Sequence, residues 1–379
     1  MTGKTGPLAG IRILEFSHML AGPYAGLLLA DLGAEVIKVE GPDGDLARDV
    51  GPHYVGRHNV YFAAMNRNKK SVVVDLATPE GQSQLRHLVK DAHAILTNYR
   101  PSAVRKLGLD YESLRRHNPQ LACVALTGYG MDGEFAHKPA YDYVIQALVG
   151  IAALTGEPDG PPTKVGFSTI DNAAGMMAAL GLLAKIVEGK GGQVDISMYD
   201  ITMSQMNYLA STTLHTGDGP KRFKNGAHPY IVPAQMIPTS DGHLAVFISH
   251  DGFWKSFAAE LGQDHWLTDP RFATMQGRAE NRDLVIDEIE ALLKTLPTKE
   301  LVDRLDPLGI VVAGVQDLKT ALDSDLTAER GLVQTVETQD GPMRLLGPAI
   351  HTDGTDQPMT PPPTPGQHND EYLMEPETA

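Results

Sequence analysis

The sequence predicts an α/β fold with a parallel sheet. Strand-length apolar runs alternate with longer helix-like segments over the first 200 residues, and helix-start chemistry follows the strands. At 379 residues the chain also exceeds one small core, so two domains are expected. Residues 11–16 (IRILEF) read as a strand, 22–32 (GPYAGLLLADL) as a helix and 34–40 (AEVIKVE) as a second strand. SVVVDL (71–76) follows, then a helix opened by Thr78 as cap, Pro79 at its first position and Glu80 in its first turn. HAILTNY (93–99) and LACVALTGYG (121–130) supply further strands. Such βαβα alternation implies a parallel sheet with helices on both faces.

Two apolar helices are expected over 141–155 and 173–188, and QVDISMYD (193–200) reads as a strand feeding a helix to about residue 210. Gly, Pro, Lys and His dominate 215–230, which reads as a linker. A smaller module follows, with a hairpin-like 233–248 and helices near 251–262, 281–295 and 298–305. From about 331 the chain is strand-and-turn again. It ends in PMTPPPTPG (358–366) and an acidic tail, expected to wrap a surface or stay loose.

Composition narrows the function. A formal charge of -15 argues against a nucleic-acid partner, because phosphate-backbone affinity needs a basic face. Cys123 is the single cysteine, so no intrachain disulfide exists, and its apolar run LACVAL (121–126) suits a buried thiol. No uninterrupted apolar stretch of about 18 residues and no signal-peptide pattern occur, so a cytoplasmic protein with no membrane partner is expected. Dinucleotide, Walker-type and nucleophile-elbow motifs are absent, and the 14 histidines lack metal-site spacing.

Ligands of such sheets bind outside the C-terminal strand ends. That groups the loops SHMLAGP (17–23), TNYRPS (97–102) and TGYGMDG (127–133) as a candidate site. Arg67, Lys69 and Lys70, then Arg100, Arg105 and Lys106, form local basic clusters. They read either as a focused anion site or as solvated helix faces. Tyr99 is placed to stack on a planar base. Asp171 stands at the mouth of an apolar helix in KVGFSTIDNAAGMMAALGLL. An aspartate there is either a helix cap or a nucleophile beside oriented N–H groups, and the local sequence alone favours the cap.

The chain strongly resembles the class III coenzyme A transferases, the CaiB/BaiF family of formyl-CoA and carnitinyl-CoA transferases. The resemblance rests on LAGIRILEFSHMLAGPYAGLLLADLGAEVIKVEGPDGD (8–45), YFAAMNRNKKSVVVDL (61–76), TNYRPSAVRKLGLDYESLRRHNPQL (97–121) and GYGMDGEF…KPAYDYVIQALVG (128–150). It continues through GQVDISMYD (192–200), HPYIVPAQMIPTSDGHLAV (228–246) and PPPTPGQHNDEYL (361–373). It implies a Rossmann-like large domain over 1–215, its parallel sheet built from N- and C-terminal segments. A smaller α+β domain over 225–325 and a returning segment over 330–379 complete the chain, in an interlocked homodimer.

The implied activity moves CoA from an acyl-CoA thioester to a carboxylic acid acceptor. It runs through mixed anhydrides and an aspartyl-CoA thioester on Asp171, with Gly175 following. The CoA thioester is substrate, and no prosthetic group or metal is implied. The resemblance assigns Leu20, Ala21, Val74, Ala77, Asn98, Tyr99, Arg100, Lys106, Pro139, Ala140, Tyr141 and Asp142 to CoA binding, with Tyr61 and Tyr141 at the acyl pocket. Formyl-CoA transferases carry glutamine at the position of Leu20, lysine at that of Pro139, and a glycine-only loop with no counterpart here. Oxalate or formate specificity is therefore not implied. The alternative is an α-methylacyl-CoA racemase of the same fold, but Tyr141 stands where racemases carry histidine and His250 stands near their glutamate. A non-catalytic CoA-binding protein is the minor alternative. Lys221, Arg222 and Lys224 are candidates for holding a second carboxylate, which suggests a small dicarboxylate as the acyl group.

Overall fold

In the computed structural model the chain is described over residues 5–353 and 358–373. The acidic tail expected beyond Leu373 lies outside the described residues. Two compact units form, one from Met1–Val149, Gly166–Asn207 and Ser324–Ala379, the other from Gly150–Val165 and Tyr208–Asp323.

The first unit is built on six strands: β1 (Arg12–Phe16), β2 (Glu35–Glu40), β3 (Lys70–Val73), β4 (Ala94–Thr97), β5 (Ala122–Thr127) and β6 (Gly192–Ser197). They lie in the order β3-β2-β1-β4-β5-β6. Every pairing is parallel. The strands read as continuous apolar runs because both sheet faces are covered; Ile13, Leu14, Val36, Ile37, Ile95, Leu96 and Val124 are fully buried. Chain order reverses between β1 and β4, which makes their C-terminal ends the crevice of a doubly wound sheet.

Helix α1 (Ala21–Asp31) leaves the β1 loop, and α2 (Val60–Asn66) precedes β3. Helix α3 (Pro79–Lys90) starts as its sequence dictates, with Thr78 Oγ1 accepting the Gly81 N–H. Helix α4 (Pro101–Leu107) follows β4 and α5 (Asp142–Leu148) follows β5. Helix α6 (Thr169–Glu188) leads into β6, which runs on into α7 (Met198–Gln205). Among the described residues α6 alone has the length and hydropathy of a membrane span, with a mean hydropathy of 1.4. Its small residues Ala173, Ala174, Gly175 and Ala178 are buried. A Cβ at Gly175 would lie 2.7 Å from Ala21 O, so glycine lets α6 reach α1.

The expected C-terminal share of the parallel sheet is not found: among the described residues, all six strands come from the first 197 residues. The returning segment instead forms an antiparallel hairpin, Val333–Thr338 with Gly341–Leu346. Its end then seals edge strand β3. His368 N donates to Ser71 O at 2.9 Å, Ser71 N to His368 Nδ1 at 3.1 Å and Val73 N to Asn369 Oδ1 at 2.9 Å. Side chains that fill edge hydrogen bonds block further strand pairing without adding a strand.

The second unit has a three-stranded antiparallel sheet, its central strand β8 (His243–Phe247) between β7 (Ala234–Pro238) and β9 (Val311–Gly314). Its helices include Asp251–Glu260, Arg282–Leu293 and Thr298–Leu305. Trp254, Phe257, Trp266 and Phe272 stack at its core. The buried Arg278 guanidinium donates to Val232 O, Phe272 O and Asp251 Oδ1.

Candidate active site

The switch-point loops enclose a cavity of about 220 Å³ walled by residues after β1, β4 and β5 and by Asp171. Asn98 locks two of these loops together, accepting the His18 N–H at 3.0 Å and donating to His18 O at 2.8 Å. The His18 ring stacks on Tyr99 with centroids 5.5 Å apart, and burial lowers its pKa. Met19 takes a positive φ of 65° and gives its N–H to Asp45 Oδ1 at 3.0 Å.

Beneath this loop lies a fully buried ion chain. Lys38 Nζ sits 2.8 Å from Asp45 Oδ2 and 3.2 Å from Glu15 Oε1, and Lys69 Nζ sits 2.7 Å from Glu15 Oε2. Lys38 also donates to Ser17 O at 2.8 Å. Desolvation offsets much of the attraction in buried pairs of this kind, so their net contribution to stability is small.

Asp171 is the third residue of α6, not its cap. The N-cap residue is Ser168, whose side chain makes no capping bond. The cap comes from 29 residues upstream: Asp142 Oδ2 accepts Ile170 N at 2.8 Å and Asp171 N at 3.3 Å. Gln146 Nε2 holds the other oxygen, Asp142 Oδ1, at 2.5 Å. Asp142 is only 3% exposed. With that work done elsewhere, the half-buried Asp171 carboxylate has no hydrogen-bond partner among the described residues and faces the cavity. Burial, and then the charge of Asp142, push its pKa up to about 7. Burial and the Asp171 charge likewise raise the Tyr61 phenol.

For the same reason the first N–H groups of α6 are already engaged. Thr169 N bonds Phe167 O, and the next two N–H groups go to Asp142. The open helix start belongs to α1, whose N-cap Leu20 makes no side-chain bond and lines the cavity with Ala21.

Of the residues assigned to CoA, Leu20, Ala21, Asn98, Tyr99, Arg100, Ala140 and Tyr141 line this cavity with Tyr61 and Asp171. Val74 does not; it is a core residue, 2% exposed. Pro139 is exposed outside the cavity wall, and Asp142 lies buried beneath α6. Ala77 and Lys106 border a separate cavity of about 740 Å³ with Arg86, Arg105 and Arg116.

The first basic cluster is neutralised by distant acids. Arg67 Nη2 meets Asp31 Oδ2 at 2.7 Å, Lys69 meets Glu15, and Lys70 Nζ meets Glu371 Oε2 at 2.9 Å. Arg105 pairs with Asp132. Arg222 and Lys224 are engaged too. One guanidinium nitrogen of Arg222 serves the carbonyls of Glu157, Gly160 and Pro161, and Lys224 pairs with Glu290 at 3.0 Å. His250 Nδ1 caps Asp251–Glu260 by accepting from Gly252 N and Phe253 N.

The sequence did not single out His18 or Lys138, both in the cavity wall. His18 lay in a flagged loop, and Lys138 stands next to the position where related enzymes carry lysine. Among the described residues no group of His, Cys, Asp and Glu is disposed to hold a metal.

The family model of CoA-transferase family III matches residues 8–369. The chain is 34% identical to succinate–glutarate CoA-transferase of Agrobacterium fabrum, over 100% of this chain and 98% of that protein. It is 32% identical to acetyl-CoA:oxalate CoA-transferase of Acetobacter aceti, over 95% of this chain and 92% of that one. A CaiB/BaiF family protein from Brucella suis superposes with a TM-score of 0.84 at 32% identity, covering 97% of this chain and 98% of its own. With a doubly wound sheet, a switch-point cavity and an unpartnered aspartate inside it, the chain belongs to CoA-transferase family III and is a CoA-transferase.

Proposed function

We propose that Asp171 is the covalent nucleophile of CoA transfer and that the acids exchanged are small dicarboxylates. The observation that carries this is the Asp171 carboxylate, which faces the cavity without a hydrogen bond to blunt it. A carboxylate oxygen attacks the thioester carbonyl carbon, the C–S bond breaks, and CoA leaves as thiolate from a mixed anhydride. The thiolate attacks the Asp171 carbonyl carbon, the anhydride C–O bond breaks, and the donor acid leaves as a carboxylate. An acceptor carboxylate reverses both steps on the aspartyl-CoA thioester.

Every leaving group departs as an anion, so no proton moves and no general acid is needed. The uncapped start of α1 supplies N–H groups and positive potential for these anions. Tyr61 and Tyr141 flank the reacting carbonyl, and Asn98, Tyr99 and Arg100 hold the CoA chain. Lys106 and Ala77 take its nucleotide end, in the basic cavity they border.

The dicarboxylate reading draws on the relatives named for succinate, glutarate and oxalate. It also draws on two exposed cations in the wall, Arg100 and Lys138, which suit a second carboxylate. A cytoplasmic, interlocked homodimer is part of the same reading.

The test is intact-protein mass spectrometry after incubation with succinyl-CoA. A gain of one CoA is expected, sensitive to borohydride or hydroxylamine and absent in Asp171→Ala. No adduct, with undiminished activity in that variant, removes Asp171 as nucleophile. A substrate panel in which only long-chain monocarboxylic acyl groups react removes the dicarboxylate assignment.

A further inference from the structure

The second unit contains a cavity of about 790 Å³ bordered by Arg222–Lys224, by Gln235 on β7 and by the helix start at Arg282. Five buried side-chain nitrogen or oxygen atoms among the described residues lack a hydrogen-bond partner. Two of them, Glu15 Oε2 and Asp45 Oδ2, each lie within 2.8 Å of a lysine ammonium, so ion pairing satisfies them. Asn172 Oδ1 is an orphan acceptor. The remaining two are the only nitrogens, Gln235 Nε2 and Arg282 Nη1, and both residues line this cavity.

Leaving a buried donor unpaired is costly, so two of them on residues of one cavity wall point to a missing acceptor. Gln235 is 6% exposed. Arg282 is oriented from behind: Nη2 donates to His228 O at 2.9 Å and Pro229 O at 3.0 Å, and the guanidinium lies 4.5 Å over the Phe223 ring. It makes no ion pair among the described residues, whereas Arg222 and Lys224 nearby are committed to carbonyls and to Glu290.

The rest of the wall defines the ligand. Glu280, Asp283 and Asp287 stand on it and repel a multiply charged anion. Phe223, Ala227, Leu284 and Ile286 offer apolar surface. We propose that this cavity is a binding site for a monocarboxylate with an apolar tail, its head group taken by Arg282 and Gln235. It lies wholly within the second unit and uses none of the residues that surround Asp171.

The experiment is calorimetric titration of the full-length protein with hexanoate at constant ionic strength, with chloride as baseline and inorganic phosphate as a second probe. Saturable hexanoate binding at one site per chain is expected, weakened about tenfold by Gln235→Leu and by Arg282→Lys. Gln235→Leu should also melt higher than wild type without ligand, because it deletes an orphan donor and keeps the volume. A residue that merely supported the fold would melt lower. Asp171→Ala should bind hexanoate as wild type does, which separates this site from the reaction cavity whatever the role of Asp171. The proposal is overturned by no saturable heat, as when only water fills the cavity. Unchanged affinity in both cavity variants, phosphate binding as tight as hexanoate, or loss of binding in Asp171→Ala overturns it equally.

Discussion

Asp171 joins two demands that pull against each other. A nucleophile must be ionised, yet burial and the neighbouring Asp142 charge hold this carboxyl up to about 7. A carboxylate so destabilised is a stronger nucleophile once its proton is gone. The kcat/KM of the wild type should therefore rise with pH along a single ionisation near 7 and flatten above it; a profile flat from pH 5 to 8 would show an ordinary carboxylate. Stability follows the opposite course. The folded protein holds this proton more tightly than the unfolded chain, so the group's favourable contribution is present at low pH and lost as pH rises through about 7. Asp171→Asn carries no such loss. It should melt a few degrees above wild type at pH 8, on the order of 1–2 kcal/mol after discounting for partial exposure, and converge with it only towards pH 4 and below, under the ordinary carboxyl value of 3.8. Thermal melts across that range check the sign.

At the scale of the element, α6 begins where it does because Asp142, at the start of α5, accepts its second and third N–H groups. Asp142→Ala should cost about 1–3 kcal/mol by orphaning them. Asp142→Asn keeps an acceptor and should recover most of that loss. Both variants remove a like charge beside Asp171, so the acid limb of the activity profile should move to lower pH in each. A limb that stays put would leave burial as its whole cause.

This long-range cap also explains what the sequence could and could not reveal. Strands buried on both faces, and the Thr78–Pro79 helix start, are written in adjacent residues and were legible to within a residue or two at most boundaries. The start of α6 at Thr169 instead of 173 was not, because its cap is 29 residues away. The apolar stretch 141–155 likewise breaks at Gly150, whose φ of 89° ends one helix and starts another. Nine of the residues assigned through family motifs line the cavity: Leu20, Ala21, Tyr61, Asn98, Tyr99, Arg100, Ala140, Tyr141 and Asp171. The misplaced ones failed for lack of tertiary information: Val74 alternates into the core, and Arg67, Lys69 and Lys70 look free until Asp31, Glu15 and Glu371 are folded against them.

For the whole molecule, the surface of the first unit bears on the proposed dimer. Helices α5, α6 and α7 pack together and expose Tyr143, Val144 and Leu148, then Met176, Met177 and Leu180, then Met203. A monomer in water rarely leaves so much apolar side chain uncovered on neighbouring helices, and a second copy is the occupant the family reading supplies. Tyr141, 67% exposed, stands at the head of the same α5 helix and also lines the reaction cavity. Dimerisation would then complete the wall that keeps water from the anhydride. Sedimentation equilibrium at micromolar concentration should give twice the 40.9 kDa chain mass. Leu148→Glu combined with Leu180→Glu should give the single mass with the far-ultraviolet spectrum retained. If the cavity wall depends on the partner, that variant should lose transfer and gain hydrolysis of succinyl-CoA. A wild-type protein that sediments as a monomer would remove the dimer, and a monomeric variant with an unchanged ratio of transfer to hydrolysis would remove its catalytic part.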